Sequence, residues 1–487
     1  MNNKLLLSLD QGSSSSRVAA FDAQGCCVCR AVRAVETRRQ NAEGFCAGAS
    51  AELDAQALLD GQLDALKEVL SQTGVERAGA LAVAGQRSTV VFWDRLSGKP
   101  LAPALGWQDG RAGAQVLRAG LSQENVHRLT GLYPTPFYSA AKISWTLEHE
   151  PQVRQAAKDG RLCIGPTASY IIWHLTRGRV FACDATFAQR TLLFNISTLN
   201  WEPQLLEAFG IQREWLPQIK RSADDYGCFE LNGHSIPICV CAGDQQAALQ
   251  ALRVVSGGAC INYGTGAFFM RHTGNRSYFL PGLLTSVNVQ TQGSAEYLLE
   301  GPVNACGTLF AWLSEIGFSF SAEELDGLCE ASRTPADILP ALGGLGAPYW
   351  DFAASPVIAG LSPQTKKADI AAGAVNALAC LLADIVFYAE RFGVKSAEIK
   401  VSGGFSKSRA LLCRQADILQ TRLVPCSETE GTCTGAAMMG ASMLGWDTSR
   451  WQTLRLLPAI EPRMDAEEAE AVYRRWHGFL NWCKLRK

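Results

Sequence analysis

Several things are scarce in this sequence, and each scarcity removes a class of function. No window of about 18 consecutive apolar residues occurs in the 487-residue chain, so no membrane-spanning helix and no membrane insertion are expected. The opening MNNKLLLSLDQG holds an apolar run far too short for a signal peptide. Charge of neither sign accumulates: 45 Lys and Arg stand against 46 Asp and Glu, for a formal net charge of −1. A nucleic-acid partner is therefore not expected, and any anionic ligand must be held by local site chemistry. The six histidines show no metal-ligand spacing, and no CxxC pair has a matching partner pair, so no protein-ligated transition metal is expected. The sequence GxxxxGK[ST] is absent, which excludes the usual P-loop.

Cysteine, by contrast, is plentiful. Seventeen in a long chain is an odd number, and the reading that fits is reduced, structural thiols in a cytoplasmic protein. Cys26 to Cys29, CCVC, reads as a strand in which Cys serves as a small apolar residue.

The length exceeds what one hydrophobic core usually serves, so two domains are expected. KLLLSLDQGSSSSRVAAFDAQG reads as strand, Gly/Ser turn, strand, and Leu53–Leu70 carries apolar residues at helical spacing. After CVCAGDQQAAL comes GGACINYGTGAFFMRHTG, again strand, glycine turn, strand. This repeat of one supersecondary unit suggests two α/β domains, 1–242 and 243–487, with a boundary near residues 241–250.

Four stretches carry residues suited to chemistry. In DQGSSSSR, Asp10 ends a buried strand and Gly12 opens a turn whose backbone N–H groups and hydroxyls suit a phosphate. Arg17 adds positive charge, and Asp10 suits Mg²⁺ directly or through water. YGTGAFF repeats the glycine turn, and the pair would clamp a polyphosphate. Asp244 in AGDQQAAL follows a glycine that permits close approach; it suits a general base, or a helix N-cap. Gly403-Gly404 in VSGGFSKSRALL would let a flat ring lie on the backbone. By itself each stretch also reads as an ordinary turn. Arg87 in LAVAGQRSTVVFWD is a guanidinium among apolar runs, and Trp107 in GWQDGR can stack on a carbon skeleton or simply fill core.

Taken in order, DQGSSSSR, GQRSTVVFWD, GWQDGR, LTGLYPTPFYSAAKISW, GDQQAAL, NYGTG, GLGAPYWD and VSGGFSKSRALL resemble the FGGY carbohydrate kinase family, and within it the glycerol kinases. FYSAAKISW fits the family's first pattern, including Lys142 and Trp145. The resemblance implies an α/β protein of two actin-like ATPase (ribonuclease H-like) domains with ATP and Mg²⁺ bound between them. It implies transfer of the γ-phosphoryl group to a hydroxyl of a small polyol or sugar. By that resemblance Asp244 is the catalytic base and Asp10 the metal-associated carboxylate. Gly12, Ser13, Ser14, Arg17, Thr265, Gly266, Gly403, Gly404 and Ser408 meet the nucleotide. Arg87, Ser88, Trp107, Phe137, Asp244, Gln245 and Phe268 meet the substrate. Relatives that form dimers or tetramers leave room for a homodimer.

The chain also departs from the pattern. Ser88 stands where glycerol kinases carry a glutamate after the arginine, and Phe137 stands at the substrate tyrosine, with Tyr138 next to it. Asn376 replaces an acidic residue of the second family pattern. Each unsatisfied substrate hydroxyl costs about 1–3 kcal/mol. A kinase for a different polyol or sugar is therefore an alternative, as is a nucleotide-binding regulator without sugar kinase activity. The intact base and phosphate loops speak against the second of these.

Overall fold

The computed structural model describes residues 3–40, 50–391, 396–427, 431–451 and 455–485. The chain divides into two units. The first holds Met1–Arg253, Ser286–Tyr297 and Thr429–Leu454; the second holds Val254–Thr285, Leu298–Glu428 and Arg455–Lys487. The chain thus crosses between units several times, where the sequence suggested one boundary.

In the first unit β1 (Leu5–Gln11) turns tightly into β2 (Ser15–Phe21), followed by β3 (Cys27–Ala34). All seven residues of β1 are buried, as a strand covered on both faces requires. Helix α1 (Ala55–Thr73) starts at Asp54, whose carboxylate accepts the N–H groups of Gln56 and Ala57. It buries Leu58, Leu59, Ala65, Leu66, Val69 and Leu70, the stripe the spacing predicts. Then come β4 (Ala78–Gly85), α2 (Ser139–His149), β5 (Cys228–Leu231), β6 (His234–Gly243) and α3 (Asp244–Ala251). The six strands form one sheet in the order β5-β6-β4-β1-β2-β3, in which β1, β4 and β6 run parallel. A second sheet pairs Val90–Asp94 with Leu162–Pro166 and with Ala104–Leu105. The two apolar runs flanking Arg87 are therefore buried strands of different sheets, and GQRST is the link between them.

Helix Gly431–Gly440, from far along the chain, packs on α3 so closely that a Cβ on Gly435 would lie 1.6 Å from the Ala247 carbonyl oxygen. Trp451 stacks on Phe21 with ring centroids 6.4 Å apart.

The second unit repeats the hairpin. There β7 (Ala259–Tyr263) pairs antiparallel with β8 (Ala267–Gly274) and parallel with a later strand, as β1 does with β2 and β4. Then come β9 (Leu284–Gln290) and β10 (Ala295–Val303), of which residues 286–290 and 295–297 belong to the first unit, followed by α4 (Gly307–Glu315), α5 (Ala322–Ala331) and α6 (Lys367–Glu390). Next come β11 (Glu398–Ser402), α7 (Arg409–Leu419), β12 (Arg422–Ser427) and β13 (Arg455–Leu456). The sheet order is β9-β10-β8-β7-β11-β12-β13.

Two features add to the sequence reading. Helix α6 is long and apolar enough to cross a membrane, with a mean hydropathy of 2.1, although no strict 18-residue apolar run exists. It is a core helix, with 89% of that stretch buried. The CCVC stretch does enter a strand, β3, at the edge of its sheet, and there Cys26 and Cys27 are exposed. All sixteen described cysteines are free thiols, and Cys46 lies outside the described residues.

Candidate active site

Strands β1, β4 and β6 end level with one another: Gln11 lies opposite Gly85, and Gly85 opposite Gly243. Residues far apart in sequence therefore leave the sheet side by side. They are the Gly12–Ser14 turn, the Gln86–Ser88 link and the Asp244–Gln245 start of α3. The carboxyl ends of parallel strands are where α/β proteins place ligands, because the loops there share one edge.

The Gly12 N–H donates to the Ser15 carbonyl at 2.9 Å, which closes the turn. Ser13 is half-buried and Ser14 exposed, and among the described residues neither hydroxyl has a hydrogen-bond partner. Asp10, one residue inside the strand, pairs across the hairpin with Arg17, and its Oδ2 lies 3.6 Å from Arg17 Nη1. No cluster of three or more His, Cys, Asp or Glu capable of holding a metal occurs among the described residues.

Arg87 is buried, its side chain only 7% exposed, and it points at the start of α3. Its Nη2 donates to Gln245 Oε1, and its Nε lies 3.7 Å from Asp244 Oδ1. Asp244 Oδ1 also accepts the Gln245 N–H at 2.8 Å, yet the side chain is one-third exposed. The close approach expected at Gly243 comes from Arg87: a Cβ there would lie 2.6 Å from Arg87 Cδ. Behind this arrangement the Gly243 N–H donates to the Thr186 hydroxyl at 2.7 Å, and that hydroxyl donates to Asp184 Oδ1 at 2.7 Å. The Ser222 hydroxyl donates to Asp184 Oδ2 at 2.7 Å. Burial pushes the Asp184 carboxyl up to about 6, against the lowering effect of the bonds from Ser222 and Thr186.

Two of the segments expected to meet a substrate, at Ser88 and at Gly106-Trp107, hang on one buried amine. Lys142, on α2, is fully buried and donates to the carbonyls of Ser88 at 3.0 Å and Gly106 at 2.6 Å. Ser139 adds a bond to the Ser88 carbonyl at 3.3 Å. Burial lowers the Lys142 ammonium to about 7; the Asp109 carboxylate opposes that shift and Arg111 adds to it. Ser88 adopts φ +64°, a left-handed conformation uncommon outside glycine. Trp107 follows Gly106 directly, and its N–H donates to Thr89 Oγ1 at 3.1 Å. Phe137 is half-buried whereas Tyr138 is buried. Trp107 is half-buried like Phe137, so of these aromatics only Tyr138 is closed off.

In the second unit the Gly264 N–H donates to the Gly266 carbonyl at 2.8 Å, and Thr265 is exposed at the tip. The Thr265 carbonyl accepts the N–H groups of Cys306 and Thr308, each at 3.1 Å, which seats the turn against the start of α4. Phe268, half-buried, faces Asn262 across the hairpin. Gly403, at φ +93°, lies so close to this hairpin that a Cβ would sit 2.4 Å from the Tyr263 carbonyl oxygen. A Cβ on Gly404 would meet nothing within 4 Å. These two loops are neighbours within the unit. Ser408 is fully buried, and its hydroxyl caps α7 at the Leu411 N–H and donates to Asp326. That hydroxyl is committed to the fold, so the nucleotide reading below rests on the glycines and leaves Ser408 out.

Sequence reasoning left three residues without a role: Asp184, Thr186 and Lys142. Lys142 fits the family's first pattern, but its task as a tie between two loops is visible only once the strands are placed. Asp184 and Thr186 sit in ACDATF, which has the appearance of a routine N-cap.

Two family domains cover most of the chain. The N-terminal domain of the FGGY family of carbohydrate kinases matches residues 5–250, and its C-terminal domain matches residues 259–444. A glycerol kinase of Thermus brockianus is 37% identical, with 99% of each chain covered. One of Natranaerobius thermophilus is 34% identical, covering 97% of this chain and 96% of that one. Among solved structures, Plasmodium falciparum glycerol kinase with ADP superposes with a TM-score of 0.90 at 26% identity, covering 99% of this chain and 98% of that one. A ligand-bound xylulose kinase of Lactobacillus acidophilus shares the fold at 20% identity and a TM-score of 0.85. The two-domain α/β expectation is borne out, and the chain belongs to the FGGY family of carbohydrate kinases.

Proposed function

We propose that this ATP-dependent kinase transfers the γ-phosphoryl group of ATP to a hydroxyl of a small, glycerol-like polyol, with Asp244 as the base. The observation that carries the reading is the strand-end arrangement of the first unit, where the Gly12–Ser14 turn, Arg87 and Asp244 emerge together. Arg87 and Gln245 bind and orient the polyol, and Trp107 and Phe137 contact its carbon skeleton. Asp244 takes the proton of the attacking oxygen as the new O–P bond forms and the bond to the β-phosphate oxygen breaks, releasing ADP. The N-terminus of α3 adds a fixed positive potential beside the reacting atoms. Backbone N–H groups and free hydroxyls at Gly12, Ser13 and Ser14, with Arg17, take phosphate oxygens, as do Thr265 and Gly266. Gly403 and Gly404 take the adenosine.

A single strand-end carboxylate without a cage of further ligands suits Mg²⁺, which keeps most of its water and binds chiefly through phosphates. Asp10 would hold it, and it would neutralise charge on the β- and γ-phosphates. The free thiols fit a reducing compartment, the cytoplasm.

Asp244→Asn should lose at least 10³-fold in turnover while still binding ADP; turnover close to wild type refutes the assignment. Ser88 and Phe137 favour a second reading within the same chemistry, a polyol or sugar other than glycerol. ADP release measured over glycerol, tetritols, pentitols and ketoses separates the two. Background turnover on every member of that panel would instead support a regulator without kinase activity.

A further inference from the structure

The second unit holds a cleft of about 550 Å³, within the usual size of small-ligand sites, and neither Gly403 nor Gly404 lines it. Its walls come from α5, α6 and α7, closed by the chain at Arg463. Three arginines line it, Arg409, Arg414 and Arg463, and none of them makes an ion pair among the described residues. Two of the carboxylates there are already engaged with backbone. Asp326 Oδ1 accepts the Ala410 N–H at 2.7 Å and the Ser408 hydroxyl at 3.2 Å. Asp417 Oδ1 accepts the N–H groups of Arg463 at 2.7 Å and Met464 at 3.1 Å.

Two further atoms are left over. Arg414 Nη1 and Asn376 Oδ1 are shut off from water and have no hydrogen-bond partner within the protein. Buried polar atoms are nearly always paired, and an unpaired guanidinium N–H is the more costly exception. Here one donor and one acceptor are unsatisfied at the wall of the same cleft. Asn376 is also the position where the family pattern has an acidic residue. The amide there leaves the arginines with one carboxylate fewer to offset them.

We propose that this cleft binds a small hydroxylated anion, a phosphate or a carboxylate that carries at least one hydroxyl. Arg414 and Asn376 turn by a rotamer into the cleft, Arg414 to meet the anionic group and Asn376 Oδ1 to accept the ligand hydroxyl, and Arg409 and Arg463 close on the charge from the rim. This assignment is independent of the kinase reading, because the cleft shares no residue with the site that carries it.

The test uses the full-length protein saturated with ADP, so that the nucleotide site is filled. It is titrated by calorimetry with glycerol 2-phosphate, citrate and inorganic phosphate at constant ionic strength. The expected result is saturable binding of glycerol 2-phosphate or citrate at least threefold tighter than inorganic phosphate, and the tighter probe identifies phosphate or carboxylate as the source. Arg414→Gln and Asn376→Asp should each weaken binding at least tenfold. Arg463→Ala, an exposed change that leaves the fold intact, should weaken it at least threefold. Absence of saturable binding in the wild type, or equal binding in all three variants, overturns the proposal. Inorganic phosphate binding as tightly as the hydroxylated probes overturns the role given to Asn376.

Discussion

Replacing Lys142 with methionine separates two opposed effects of one buried amine. In the folded chain burial lowers the ammonium from 10.5 to about 7. The folded value lies below the unfolded one, so the unfolded chain binds more protons between pH 7 and 10.5, and stability rises with pH across that window. At pH 7 the unfavourable linkage amounts to about 4 kcal/mol, and by pH 9.5 it falls to about 1.5 kcal/mol. Methionine fills a similar volume and removes this term. It also leaves the carbonyls of Ser88 and Gly106 short of a donor, at about 1–3 kcal/mol each. At pH 7 the two effects nearly cancel, and Lys142→Met should unfold within about 2 kcal/mol of wild type. At pH 9.5 the wild type gains about 3 kcal/mol relative to the variant, because only the wild type has an amine to titrate. Paired urea unfolding curves at the two pH values read this difference, in which all other titrating groups drop out. The variant should also lose at least tenfold in kcat/KM, since the Ser88 and Gly106 loops lose their common tie. A stability difference that stays constant between pH 7 and pH 9.5 would refute the buried-amine account.

Gly243→Ala puts a Cβ 2.6 Å from Arg87 Cδ and 2.7 Å from Gln246 Oε1 at a backbone conformation alanine accepts, so the strain falls on Arg87 and Gln246. The expected outcome is a polyol KM raised about tenfold or more with the melting temperature nearly unchanged; an unchanged KM would contradict the placement of Arg87. Gly403→Ala combines φ +93° with a 2.4 Å approach to the Tyr263 carbonyl, where no flexible side chain can give way. ADP affinity should fall at least tenfold and the melting temperature of the second unit should drop, both readable by calorimetry. Ser88→Glu restores the carboxylate that glycerol kinases carry, and should raise kcat/KM for glycerol severalfold at little cost in stability. A fall in glycerol turnover would show that other groups already replace it.

Much of the fold was legible because it is written in local patterns. The leucine-rich start of β1, the stripe of α1 and the two glycine hairpins each specify themselves within about twenty residues. The candidate site was legible residue by residue, since Asp10, Arg87 and Asp244 all stand where apolar strands stop. What could not be read is what depends on long-range placement. That 429–454 returns to the first unit rests on a close helix contact, at Gly435 on Ala247, which no local pattern encodes. The tie from Lys142 to Ser88 spans 54 residues, and Lys142 in SAAKISW gives no sign that its amine is buried. The Ser408 hydroxyl looked available in a polar loop, but a cap and Asp326, 82 residues away, claim it.

The proposed assignment, laid on this geometry, separates chemistry from selectivity. Asp10, the Gly12 turn and Asp244 are fixed by the ends of hydrogen-bonded strands in a single sheet, so moving any of them distorts the sheet itself. Ser88, Trp107 and Phe137 belong to links that leave that sheet, and Ser88 is held through its carbonyl, not its side chain. A residue anchored by its backbone can exchange its side chain at little cost in stability, provided the new one tolerates φ +64°, which β-branched residues do not. Glutamate and serine both meet that condition. With Ser88 at the proposed substrate site, that exchange would alter which hydroxyls are greeted while leaving the proposed base and phosphate turn where the strands put them. Under the proposed assignment, substrate choice in this chain is set by a loop that one buried lysine holds, and the transfer step by strand ends that the core holds.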